Sequence, residues 1–231
     1  MVDKFENETF LAISPYELSI FLFDKSNNTN LYKETLKLKD KSQEIDLNIL
    51  SNFIENNIFK IEKLAGSFIQ NIFLIIENKK LCDFKIGIKN KNDEEKISKK
   101  NLINMLTEAK DIFKENNQDY KIMHMVINNY IINGKNFDKI PKNIEENKLG
   151  LEIFFLTIPV DLILQIDEIL KKFQIKAVRY LSLDFIKSSF GEKNIELSEK
   201  ASKILMGHNV NEIILIQKNT KKSGFFEKFF Q

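Results

Sequence analysis

Residues able to do chemistry are few and scattered along this chain. Two histidines, His124 and His208, and one cysteine, Cys82, cannot assemble a zinc set. His124 stands in an alternating apolar run, where a histidine packs or lines a rim, and no chemistry is assigned to it. Neither a Gly-x-Ser-x-Gly elbow nor a Walker phosphate loop occurs. Carboxylates are plentiful, as in Asp93-Glu94-Glu95 and Glu145-Glu146, but they lie among lysines and asparagines and read as solvated surface. Asp184, at the end of an apolar run, reads as the cap of the turn that follows it. No catalytic residue, metal or cofactor is expected.

The other unusual cluster is terminal. Lys218, Lys221 and Lys222 lead through Ser223-Gly224 into Phe225-Phe226-Glu227-Lys228-Phe229-Phe230-Gln231. At about 100° per residue the four phenylalanines share one helical face and Glu227-Lys228 the other. Three destinations fit such rings: a membrane surface, the body of the protein itself, or a partner's groove. On a membrane, each buried Phe contributes about 1.5–3 kcal/mol, ordering the segment offsets part of that, and Lys221, Lys222 and Lys228 add about 1 kcal/mol each near anionic lipid. Attachment is then weak, reversible and open to reinforcement by multivalency.

What must position these residues is a chain of 231 residues, 43% hydrophobic and 29% charged, enough for one large domain or two small ones. A net charge of +2 provides no field to draw it onto nucleic acid, and no nucleic-acid partner is expected. One cysteine and a start without a basic, then apolar, leader give an intracellular expectation. The apolar runs are far shorter than the roughly 20 residues of a spanning helix.

Periodicity supplies the elements. Leu11, Ile13, Leu18, Ile20 and Leu22 alternate around Pro15, and Leu31–Leu38 alternates as well. Ile45, Ile49, Phe53, Ile54, Ile58 and Ile61 predict an amphipathic helix that Gly66 stops. Strands are predicted at 68–76 and 84–88, and a helix capped by Ser98 runs through Leu102, Met105, Leu106, Ala109 and Phe113. A strand over 122–132 ends at the Asn133-Gly134 turn. Then follow a strand at 150–159, a helix at 161–173, a strand at 177–183, a helix opened by Ser198, and a last strand from Glu212 to Gln217. Strands mixed with packed helices predict an α/β or α+β fold.

Three of these segments, in this order, resemble FtsA, the actin-like family that tethers the bacterial division ring. They are the helix ending Leu64-Ala65-Gly66 with strand Ser67–Ile75; the helix from Ser98 to Lys110 with strand Ile122–Gly134; and strand Leu151–Thr157, the helix to Phe173 and strand Ala177–Ser182. The likeness covers about residues 45 to 190. It implies a partial actin-like, ribonuclease H-like lobe at 1–79 and 178–217, an FtsA-type inserted strand-helix-strand subdomain at 80–177, and a linker with an amphipathic membrane helix at 218–231. It also implies where phosphate loops should be. The family's Asp-Ile-Gly-Thr-Ser-Lys run corresponds to Ala12-Ile13-Ser14-Pro15-Tyr16-Glu17, so Ala12 replaces the metal-handling aspartate, Ser14 the glycine, and Pro15 removes a backbone donor. The second loop is missing: Leu183–Gly191 has no glycine cluster, and the family's second lobe has no counterpart here.

The resemblance therefore implies a division adaptor on the cytoplasmic face of the inner membrane, peripheral and without ATPase activity. Later division proteins would bind the inserted subdomain, and homo-oligomers would form through β edges at 122–132 and 150–159. Contact with the tubulin-like ring protein FtsZ belongs mainly to the second lobe, so it is the least supported partner. Two rivals remain: an actin-like cytoplasmic scaffold of pilus assembly, and a residual ATP-binding ATPase.

Overall fold

A computed structural model describes residues 7–38, 45–90, 98–140, 148–191 and 194–213. The elements are β1 (Asn7–Ile13), β2 (Glu17–Asp24), β3 (Thr29–Lys37), α1 (Leu47–Ala65), β4 (Asn71–Ile76), β5 (Cys82–Lys89), α2 (Lys99–Asn116), β6 (Tyr120–Ile132), β7 (Lys135–Phe137), β8 (Leu149–Pro159), α3 (Val160–Lys172), β9 (Lys176–Ser182), α4 (Leu183–Phe190) and α5 (Leu197–Leu205). They form two compact units, one of residues 1–81 and 158–208, the other of 82–157 and 209–231.

The first unit is built on a five-stranded sheet ordered β3-β2-β1-β4-β9. β1, β2 and β3 are antiparallel neighbours, whereas β4 runs parallel to both β1 and β9. A hairpin meander followed by parallel crossover strands is the ribonuclease H-like arrangement of an actin-type lobe, as the sequence led us to expect. β1 and β2 read Phe10-Leu11-Ala12-Ile13 and Leu18-Ser19-Ile20-Phe21-Leu22-Phe23, buried without alternation. Strands of that kind are covered on both faces. Helices α1 and α3 contact each other, as do α4 and α5, and α1 and α5 both reach β2. Asp46 caps α1 by accepting from the N–H groups of Asn48 and Ile49, and Gly66 ends it at φ 69°, a left-handed stop that glycine takes without strain.

The second unit lays α2 over a four-stranded sheet ordered β5-β8-β6-β7. Leu102, Met105, Leu106, Ala109 and Phe113 of α2 meet Met125, Ile127, Leu151, Ile153 and Phe155, giving this unit its own core. Phe113 stacks on Phe155 at 5.0 Å between centroids. Such a helix-on-sheet pair is the smallest arrangement that buries an apolar stripe against an apolar face.

Four expectations change. The division of the chain falls differently from 80–177: α3 belongs to the first unit, its apolar stripe Leu162, Ile166, Ile169 and Leu170 lying toward α1 and β9, while residues 209–213, expected in the lobe, belong to the second. Leu183, expected to end a strand, and residues 184–190, for which the sequence suggested no element, form α4. Ser198 does not cap α5; it is buried inside the helix, and its hydroxyl donates to Asn30 Oδ1 at 2.7 Å. The strand at 150–159 is not an edge, since β8 lies between β5 and β6, and β6 is covered in part, by β7 over Tyr130–Ile132 and by residues 211–213 beside Val126. The tail helix at 218–231, and the last strand beyond residue 213, lie outside the described residues.

Candidate functional site

In an actin-type lobe the tip of the first hairpin is where a nucleotide phosphate would be cradled. Here Ala12 is buried in the sheet, opposite Ser19 on β2 and Ile75 on β4. The tip itself is closed by Ser14. The Ser14 hydroxyl oxygen accepts from the backbone N–H of Glu17 at 3.0 Å and of Tyr16 at 3.3 Å, and its O–H donates to the carbonyl of Glu17 at 3.0 Å. The Ser14 N–H adds a backbone bond to the same carbonyl at 3.0 Å. Pro15 has no N–H to offer. The donors a phosphate would need are thus absent at Pro15 and engaged at Tyr16 and Glu17.

At the other sequence-flagged point, β9 passes straight into α4. Ser182 is the N-cap, its hydroxyl oxygen accepting from the Phe185 N–H at 3.3 Å. Asp184 is not that cap. It is exposed in the first turn, where its charge favours the positive end of the helix dipole.

Polar clusters that sequence reasoning missed lie in the second unit. His124 and Glu212 are buried, and His124 Nδ1 lies 2.7 Å from Glu212 Oε1. Glu212 bridges Val126, while the Ile127 N–H donates to Asn211 and the Ile213 N–H to Met125, so residues 211–213 run as a short ribbon along β6. His124 and Glu212 are 88 residues apart, and no local pattern links them. Glu152 on β8 accepts from Lys85 at 2.5 Å, Asn128 at 2.5 Å and Asn129 at 2.7 Å. Lys85 first, then Asn128 and Asn129, hold its carboxyl below the usual range. In the first unit, His208 stacks on Phe190 at 4.3 Å. Cys82 Sγ lies 3.5 Å from the Tyr120 hydroxyl, and this contact raises the tyrosine's pKa.

Among the described residues, no group of three or more His, Cys, Asp or Glu is placed to hold a metal. No described helix is long and apolar enough to cross a membrane. The membrane-contact residues expected from sequence, Phe225, Phe226, Phe229, Phe230, Lys221, Lys222 and Lys228, lie outside the described residues.

No protein-family model matches the chain, and no curated protein matches it in sequence. Solved structures do. A chain of a "PilM-PilN type IV pilus biogenesis complex" is similar at 9% identity and a TM-score of 0.50, covering 78% of this chain and 48% of that one. The cytoplasmic domain of EpsL, an inner-membrane component of the type II secretion system of Vibrio cholerae, gives 8% identity and a TM-score of 0.39, covering 78% and 59%. A Bacteroides thetaiotaomicron protein of unknown function with an actin-like ATPase fold gives 15% and 0.31, covering 80% and 56%. The chain spans about half the length of the solved proteins it resembles. Strand order and the first of these likenesses give the actin-like ATPase type of fold.

Proposed function

We propose that the chain is an actin-fold scaffold that binds protein partners and not ATP, serving a multi-protein assembly of the type IV pilus biogenesis kind at the cytoplasmic face of the membrane. The observation that carries it is the closed hairpin: Ser14 engages the N–H groups of Tyr16 and Glu17, and Ala12 stands where a metal-handling carboxylate is needed. A lobe that keeps the actin-type sheet while filling its phosphate cradle retains a surface and gives up a reaction. The pilus setting comes by analogy of fold with a complex that bears that name.

The narrower membership in the FtsA family rests on the order of three sequence segments, and the division-adaptor role ranks second. Both roles put the protein at a membrane, with the Phe-rich tail as anchor, and both give it protein partners. Deleting the gene separates them. Loss of surface fibres with normal cell length supports the pilus-type scaffold; filamentous cells with intact fibres support the division role. The premise shared by the two readings is tested by calorimetry with ATP and magnesium, where binding in the micromolar range refutes an empty cradle.

A further inference from the structure

β5 is the open edge of the second unit's sheet. It pairs with β8 in antiparallel register from Cys82↔Thr157 to Lys89↔Gly150, and among the described residues no strand pairs with its other side. The Asn90 N–H donates to the Leu149 carbonyl at 2.8 Å, which continues the same register. Hydrogen-bonded pairs recur at every second residue of an antiparallel ladder. The even-numbered residues of β5 therefore turn their backbone groups to β8, and Asp83, Lys85, Gly87 and Lys89 turn theirs to the open side. An edge of this kind is a template for one more strand.

We infer that the occupant of this edge is a second copy of the chain, with β5 pairing antiparallel to its own twofold mate across Ile86. The strand's own sequence encodes the register. With Ile86 opposite Ile86, Asp83 faces Lys89 of the mate, Lys85 faces Gly87, and Phe84 faces Ile88; each match occurs twice. Four hydrogen-bonded pairs form, about eight backbone hydrogen bonds. Slipping the register by two residues in one direction puts Lys85 against Lys85, and in the other puts Lys85 against Lys89, both penalised as like charges directly opposite. Lysines on an edge strand ordinarily keep copies apart. In this register neither does, since Lys89 meets a carboxylate and Lys85 meets a residue without a side chain. Phe84 and Ile88 already belong to the apolar layer beneath α2, so the same pairing would continue that layer from one copy to the next. This inference goes beyond the scaffold reading and does not depend on which assembly the chain serves.

Sedimentation of the full-length protein tests it. The wild type is expected to show a monomer–dimer equilibrium. Asp83→Lys and Lys89→Asp each oppose like charges twice and weaken the dimer, roughly tenfold in Kd. The double variant Asp83→Lys/Lys89→Asp restores wild-type association, a recovery that a merely destabilised fold would not show. Register is read separately by mixing Lys85→Cys with Gly87→Cys proteins, both carrying Cys82→Ser; a Cβ added at Gly87 meets nothing within 4 Å. Directly opposed hydrogen-bonded positions have Cα atoms about 5.5 Å apart, within disulfide reach, so the mixture should cross-link on mild oxidation. A protein that stays monomeric to about 1 mM, the threshold of weak association, overturns the inference. So do a double variant that fails to recover and a mixture that fails to cross-link.

Discussion

His124 Nδ1 lies 2.7 Å from Glu212 Oε1, and this buried pair fastens residues 211–213 to β6. Removing one partner of a buried pair strands the other, at a cost of about 3–5 kcal/mol. Glu212→Ala and His124→Ala should each lower the melting temperature, by roughly 2–4 °C per kcal/mol for a chain of this size. Scanning calorimetry checks this, and a shift under about 2 °C would mean that the two groups contribute little to stability.

Ser14 makes three side-chain hydrogen bonds at the hairpin tip, and Ser14→Ala removes all of them. A typical intramolecular hydrogen bond contributes about 0.5–1.5 kcal/mol, so the variant should be less stable by about that amount or somewhat more. It should still not bind ATP, because Ala12 and Pro15 remain. Calorimetric titration of both proteins with ATP and magnesium is expected to give no heat of binding; a signal from the variant alone would identify Ser14 as the sole obstacle.

Tyr180 donates its O–H to Asp167 Oδ1 at 2.8 Å, and burial first, then this contact and the aspartate's charge, push its pKa far up. The folded state then keeps the phenolic proton at a pH where the unfolded chain loses it. Stability from this group is complete below the unfolded tyrosine value of about 10 and declines as pH rises above it. Burial raises Tyr130 in the same direction. Urea midpoints should fall between about pH 9.5 and 11, and the fall should be shallower in Tyr180→Phe. An equal slope in the two proteins would count against Tyr180 as its source.

Phe226→Glu/Phe229→Glu in the tail should abolish co-sedimentation with anionic vesicles while leaving the melting temperature unchanged, since charges would then lie in the apolar face of the proposed helix. If vesicle binding were retained, the rings would serve a partner. A collapse of the melting temperature would assign them to the protein's own core.

Local elements were legible where apolar period and punctuation agreed. Gly66 ends α1 as its residue type requires, whereas the cap at Asp46 went unread, and Asn133-Gly134 turns β6 into β7 with φ values of 48° and 79°. α4 escaped because its eight residues give a helical period little room, and its Leu183-Asp184-Phe185 start reads as the end of a strand. The ownership of α3 was not legible either: Leu162, Ile166, Ile169 and Leu170 announce an apolar stripe but not which surface receives it. Sheet order decides which strand is an edge, and β5 and β8 have equally strand-like sequences. The hairpin tip was legible as an empty cradle from Ala12, Ser14 and Pro15, but its closure by the Ser14 hydroxyl required coordinates. Glu212 could not be found at all, because its partner lies 88 residues away.

The closed hairpin also makes positions 12, 14 and 15 depend on one another. Restoring glycine at position 14 would discard the Ser14 bonds without returning a donor at Pro15. Replacing Pro15 alone would return an N–H to a turn whose neighbouring donors Ser14 still engages. Restoring aspartate at position 12 would place a carboxylate among Ser19, Ile75 and the packed ends of β1 and β4, where an unpaired charge is destabilising until a metal arrives to neutralise it. The changes at positions 12 and 14 each lower stability, and none of the three alone supplies both a carboxylate and free donors. Under the proposed reading, no single substitution at position 12, 14 or 15 would therefore open the cradle, and a gain of ATP binding would need all three together.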